Sequence, residues 1–270
     1  MDALGALHVL PLELLYEVQI LSRWEGLPLA SKQLYNIFKA APLYVRAEYL
    51  ICRFYDQSAS HRWRDPGLLT VSLRYPLCTQ AVLEVLLNLS PSPKYHVTKT
   101  PRRLFRHLPQ RPSGRWSDRD YPLPMLNFIF NHPRIQTVLD NWEGYALTKA
   151  VAAGFIPLVL FLLEKGASPA HKDGIAVHAA IRRKDLSLVK LLVDPNHSYE
   201  TVDGTKLRVK SSDDDRPHKS QRAKKRRIED RVKVDQAMLK TAVACDARDI
   251  VQYIVQEKAC VPDMKTVRLM

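Results

Sequence analysis

The chain has 270 residues and a mass of 30.9 kDa, with 46% hydrophobic and 26% charged residues and a formal net charge of +13. This composition is globular, long enough for one large or two small domains, and it excludes a wholly disordered chain. No apolar run reaches the ~18 residues of a membrane span, no basic stretch leads into an apolar one as in a signal peptide, and 9 glycines are few for phosphate-cradling loops.

The first apolar series opens at Val9-Leu10-Pro11-Leu12-Glu13-Leu14-Leu15, with proline suited to a first helical turn. Leu14, Leu15, Val18 and Leu21 continue at helical spacing. Leu27, Leu29, Leu34, Ile37 and Phe38 form a second series capped by Ser31, Pro42 breaks it, and a third helix is predicted over Leu43–Phe54. Residues 1–55 therefore read as a small three-helix unit of their own.

Further on, Ala81-Val82 with Val85-Leu86-Leu87 reads as the second helix of a hairpin. Leu126 with Ile129-Phe130 reads as another, with Leu104-Phe105 in the first helix before it. Between Lys99 and Arg119 stand seven basic residues (Lys99, Arg102, Arg103, Arg106, Arg111, Arg115, Arg119) and one acid, Asp118, a net +6. The stretch is rich in proline and poor in apolar residues, so 99–119 is expected to be an exposed basic loop.

A repeat follows. Leu147-Thr148-Lys149-Ala150, Gly154–Val159 and Leu162-Leu163 recur 30 residues later as Val177–Ala180, Lys184–Val189 and Leu192-Val193. They recur again 62 residues after that as Leu239–Ala242, Asp246–Val251 and Ile254-Val255. Small residues mark a first helix, and apolar pairs at i, i+4 mark one face of a second. One such hairpin cannot bury that face alone, whereas stacked neighbours can.

The doubled second interval holds a segment, 201–234, that reads as a disordered basic insertion. Between Asp203 and Lys233 it carries twelve basic residues and six acids, again a net +6. Its tetrad Lys224-Lys225-Arg226-Arg227 fits the acidic groove of a nuclear-import receptor; the same charges suit phosphates or a plain solvated run. No aromatic residue lies in 200–234 on which a base could stack.

No motif points to catalysis: Gly-x-x-x-x-Gly-Lys, Gly-x-Gly-x-x-Gly, His-Glu-x-x-His and Gly-x-Ser-x-Gly are all absent, and the nine histidines do not gather at metal-ligand spacing. No catalytic residue, metal or cofactor is expected. Cys52, Cys78, Cys245 and Cys260 are far apart, without Cys-x-x-Cys spacing, and read as small buried side chains in a reducing compartment.

The repeats resemble the ankyrin repeat. Val177-His178-Ala179-Ala180 stands where that family has Leu-His-x-Ala, Gly154–Leu163 where it has Gly-x-x-Glu-Ile-Val-x-x-Leu-Leu, and Gly166-Ala167-Ser168 where it has Gly-Ala-Asp. Its Thr-Pro-Leu-His tetrapeptide is never complete, and only His178 supplies the histidine, whose role in the family is to bridge loops. Residues 9–50 resemble the F-box motif through Leu10-Pro11-Leu12-Glu13-Leu14-Leu15 and the series Leu29, Ser31, Lys32, Leu34. The middle is shorter than in the family, and its usual tryptophan is Tyr35 or missing.

These resemblances imply an all-α fold, an ankyrin-type helical-hairpin solenoid behind a three-helix F-box-like segment. The implied layout is the F-box-like segment over 1–55, degenerate repeats over 68–140, two clear repeats over 144–200, the insertion over 201–234 and a terminal repeat over 235–265. The F-box resemblance puts Leu10, Pro11, Leu14, Leu15 and Val18 at the interface with a Skp-type adaptor of a cullin ubiquitin ligase. The residues alone equally suit a helical cap over the first repeat. The function implied is non-catalytic: a substrate-recognition subunit holding a protein target on its repeats. The alternative is a nuclear ankyrin-repeat adaptor or regulatory protein whose basic loops contact nucleic acid or acidic partners. Either belongs in the nucleus or cytoplasm, with the nucleus preferred.

Overall fold

A computed structural model describes residues 9–60, 67–90, 94–97, 100–109, 116–137, 143–195, 197–200, 206–207 and 231–267. The chain is mostly helical, in keeping with the all-α expectation. In chain order come α1 (Leu12–Ser22), a 3-10 turn (Leu27–Leu29), α2 (Lys32–Lys39), α3 (Leu43–Ser60), α4 (Leu68–Ser72) and α5 (Gln80–Leu89). Next are β1 (Tyr95–Val97), α6 (Arg103–Arg106), α7 (Leu123–Asn131), β2 (Ile135–Thr137), α8 (Tyr145–Ala153), α9 (Ile156–Glu164), α10 (His171–Arg182) and α11 (Leu186–Val193). Then follow β3 (Tyr199–Glu200), β4 (Lys206–Leu207), α12 (Gln236–Ala244), α13 (Arg248–Gln252), a π-helical turn (Tyr253–Glu257) and α14 (Met264–Val267).

Two compact units result: Met1–Pro101 with Pro124–Val138, and Arg102–Leu123 with Leu139–Met270. In the first, α1 ends at Arg23, which adopts the left-handed conformation (φ 52°) and bonds back to Gln19 O. Ser31 caps α2 through Leu34 N (3.2 Å), and Thr79 caps α5 through Val82 N (3.4 Å). Leu15, Leu27 and Leu34 make a small core, with Leu10, Val18, Ile37 and Phe38 packed against it.

The first 55 residues are not a separate unit. Helix α3 runs to Ser60, beyond the predicted Phe54, and packs on α1, α4 and α5 together. Glu25 accepts hydrogen bonds from Tyr75 Oη (2.8 Å) and from Arg53, which lowers its carboxyl below the usual range.

Two short strand pairs stand outside the all-α expectation; in the parallel one Tyr95 pairs with Ile135 and Val97 with Thr137. Arg134 fastens it, donating from Nη1 to Leu87 O (2.9 Å) and from Nη2 to Ser90 O (3.1 Å), the carbonyls at the end of α5. Its guanidinium also lies over the Tyr95 ring, 5.3 Å from the centroid.

The second unit is built from three helical hairpins, α8–α9, α10–α11 and α12–α13. All three turn in the same way. Gly154 (φ 70°) donates to Val151 O and Phe155 to Ala150 O; Lys184 (φ 56°) to Ile181 O and Asp185 to Ala180 O; Asp246 (φ 50°) to Val243 O and Ala247 to Ala242 O. Each is the paired bond set of a left-handed helix end. Thus the 30- and 62-residue spacings of the sequence reappear in the backbone. Ala150, Ala180 and Ala242 are all buried, and α8 packs on α10, α10 on α12, and α11 on α13. Left-handed residues Lys172, Asp173 and Gly174 open α10, and a Cβ on Gly174 would collide with Met238 Cε of α12.

The left-handed conformation costs an L-residue roughly 1 kcal/mol and glycine almost nothing. Lys184→Gly should therefore raise the urea midpoint, by about 0.5 kcal/mol of stability. A lowered midpoint would mean that the lysine side chain itself holds the turn.

Leu104-Phe105 and Leu126 with Ile129-Phe130, predicted as the two helices of one hairpin, fall in different units. Leu104 and Phe105 are buried in α6, which packs on α8 in the second unit, whereas α7 from Pro124 onward belongs to the first. Nor is 99–119 simply an exposed loop: Leu104 and Phe105 anchor one part, and Trp116 stacks on Phe155 (centroids 4.1 Å apart, planes 11° apart) in another. The base of the 201–234 segment is structured as well. Tyr199 pairs with Leu207 and Glu200 with Lys206. Arg231 donates to Val193 O from its backbone (2.8 Å) and to Leu191 O (3.1 Å) and Pro195 O (3.2 Å) from its guanidinium, and Val232 is buried.

Candidate functional site

Helix α1 divides its residues between two faces. Leu15 and Gln19 point inward and are buried, and Leu10 leans on the same core. Pro11, Leu14, Val18 and Leu21 stand at i, i+3, i+7 and i+10, one stripe of a 3.6-residue helix. On it Pro11, Leu14 and Leu21 are exposed, Leu21 to 77%, and Val18 is partly buried.

Of the five residues predicted to face an adaptor, Pro11, Leu14 and Val18 therefore share this stripe. Leu15 belongs to the interior, and Leu10 packs against it. Their apolar character is spent on holding α1 to the 3-10 turn and α2. Leu21 extends the stripe, although the predicted set lacks it; its i+7 spacing from Leu14 is the signal that locates it. Beyond α1, Val9, Trp24 and Leu29 are exposed too. So much exposed apolar side chain on one short segment suits a protein contact better than water.

In the second unit, His178 joins α10 to α12. Its Nδ1 lies 3.0 Å from Thr241 Oγ1, and that hydroxyl donates its own proton to Ala237 O (2.9 Å). Thr241 must then accept, which fixes the proton of the neutral imidazole on Nδ1. Burial is the main influence on His178 and pushes it below the usual histidine range, against the opposing pull of Asp235. A histidine held this way is a brace between hairpins.

A second brace ties α11 to the end of α13. Tyr253 Oη donates to Asp194 Oδ2 (2.9 Å), Lys258 bonds the same carboxylate, and Lys190 bonds Glu257 (2.8 Å) while lying 4.9 Å over the Tyr253 ring. Tyr199 donates to Asp185 Oδ2 (3.2 Å); burial, aided by that carboxylate, pushes its hydroxyl up to about 12.

Arg102 lies over the Tyr145 ring (5.3 Å), shared with Lys149 (5.8 Å), and Arg103 and Arg106 flank the buried pair of α6. Arg111 and Arg115 lie outside the described residues, as does the tetrad Lys224, Lys225, Arg226 and Arg227. Among the described residues no three His, Cys, Asp or Glu side chains gather where a metal ion could sit, and no helix is long and apolar enough to cross a membrane. No protein-family model, curated protein or solved structure matches the chain.

Proposed function

We propose that this chain is a non-catalytic protein-interaction protein, the substrate-recognition subunit of a cullin-type ubiquitin ligase. Its F-box-like head docks a Skp-type adaptor, and its ankyrin-type hairpins hold the protein target. Its contribution is positioning; ubiquitin transfer belongs to other subunits. The tetrad Lys224–Arg227 serves as the import signal that brings it to the nucleus. The observation that carries this reading is the stripe on which Pro11, Leu14 and Leu21 are exposed, beside the inward-facing Leu15. The thrice-repeated hairpin turn supports the target-binding half, because stacked hairpins present a continuous face to a partner.

Both Leu14 and Leu21 are exposed, so Leu14→Asp/Leu21→Asp leaves the core of the head in place. Wild-type chain co-expressed with a Skp-type adaptor should retain it on affinity purification. The double variant, with unchanged circular dichroism, should lose roughly tenfold or more of that capture, as expected when central apolar contacts become charged. Failure of the wild type to retain any adaptor refutes the ligase reading.

A further inference from the structure

The three hairpins share one turn and one sequence spacing, although the last helix passes into the π-helical turn at Tyr253, so what covers one can be compared with what covers the next. On the first hairpin Val151, Val159 and Leu163 are buried, and on the second Ile181, Val189 and Val193 are buried. At the same places in the third stand Val243, Val251 and Val255, all only half-buried. With Ala247 they line an open groove of about 610 Å3, rimmed by Asp246 and Arg248.

The other half of this terminal face is covered. Gln236 and Lys240 are the counterparts of Gly174 and His178, the residues of α10 that meet α12. They meet the chain's own last segment: Gln236 Nε2 donates to Val261 O (3.5 Å) and Lys240 bonds Asp263 (2.8 Å), with α14 packed on α12. That segment takes the place of a following first helix. No described residue takes the place of a following second helix, over Val251 and Val255.

We propose that this open half-face is a self-association site, where the terminal hairpin of one protomer meets that of its partner about a two-fold axis. Three observations select a second copy. Helical hairpins of this same chain cover both equivalent inner faces. The rim holds one acid and one base in a chain of net charge +13, so the patch is neutral and self-complementary. Arg248 and Asp246 bond each other within one chain (3.3 Å), and across the axis Arg248 of one protomer can exchange onto the partner's Asp246. At the opposite end α6 packs on α8. Only half a face is available, so the association is weak, with a dissociation constant on the order of 10 μM.

Sedimentation equilibrium of the full chain tests this. The wild-type mass should rise with concentration from 30.9 kDa toward twice that value. Arg248→Glu should weaken association about tenfold or more without moving the thermal transition, because this side chain is 92% exposed. Val251→Glu should weaken association likewise. A wild-type mass that stays at 30.9 kDa throughout, or an Arg248→Glu chain that associates as tightly as wild type, overturns the proposal.

Discussion

Phe155→Ala should remove about 4 kcal/mol of stability. Phe155 is fully buried at the start of α9, and its backbone N–H makes the bond to Ala150 O that closes the first hairpin turn. Truncation leaves a cavity between two helices whose neighbours are already held by the hairpin, so collapse around it is limited. It also strips Trp116 of its stacking partner, worth about 1 kcal/mol beyond burial alone. Urea unfolding followed by circular dichroism measures the loss, and Phe155→Leu should recover more than half of it. A loss below ~1 kcal/mol would contradict a packed Phe155 ring.

In the first unit, Arg134→Met should cost about 3 kcal/mol. The change keeps much of the aliphatic stem but removes both guanidinium bonds to the last carbonyls of α5 and the cation over Tyr95. Leu87 O has no helical N–H to replace the lost donor, because Ser90 follows α5 in an extended conformation, while Ser90 O keeps the hydrogen bond from Tyr95 Oη (3.0 Å). Arg134→Lys can restore the charge but not the fork, and should recover less than half. Thermal melting of the three proteins side by side is sufficient. Equal transitions for the wild type and Arg134→Met would show that water serves those carbonyls as well.

The hairpins are the most legible part of the sequence, because a repeat writes the same local rule three times. Ala150, Ala180 and Ala242 are buried and Gly154, Lys184 and Asp246 share a turn at the spacings that the pattern predicts. The helices of the head are also legible from apolar spacing and from Ser31 as a cap. The direction each face points is less so: Leu15 and Leu14 are neighbours of one residue type, and only packing against Leu27 and Leu34 decides which turns inward. The pairing of Tyr95–Val97 with Ile135–Thr137 cannot be read at all. It joins two three-residue strands across the whole stretch 98–134, and no local period records so distant a partner. Leu104 and Phe105 mislead for the same reason: an apolar pair announces burial but not the unit in which it will be buried.

The chain leaves α11 through the short β3–β4 ladder and comes back to α11 through Arg231 before it enters α12. Both ends of the intervening stretch are thus moored to a helix that is already in place, and the seating of α12 on α10 is settled downstream of that mooring. Residues 208–230 can therefore lengthen, shorten or change their charge over generations without disturbing how the last hairpin sits. The address proposed at Lys224–Arg227 falls, in sequence, between these two moorings.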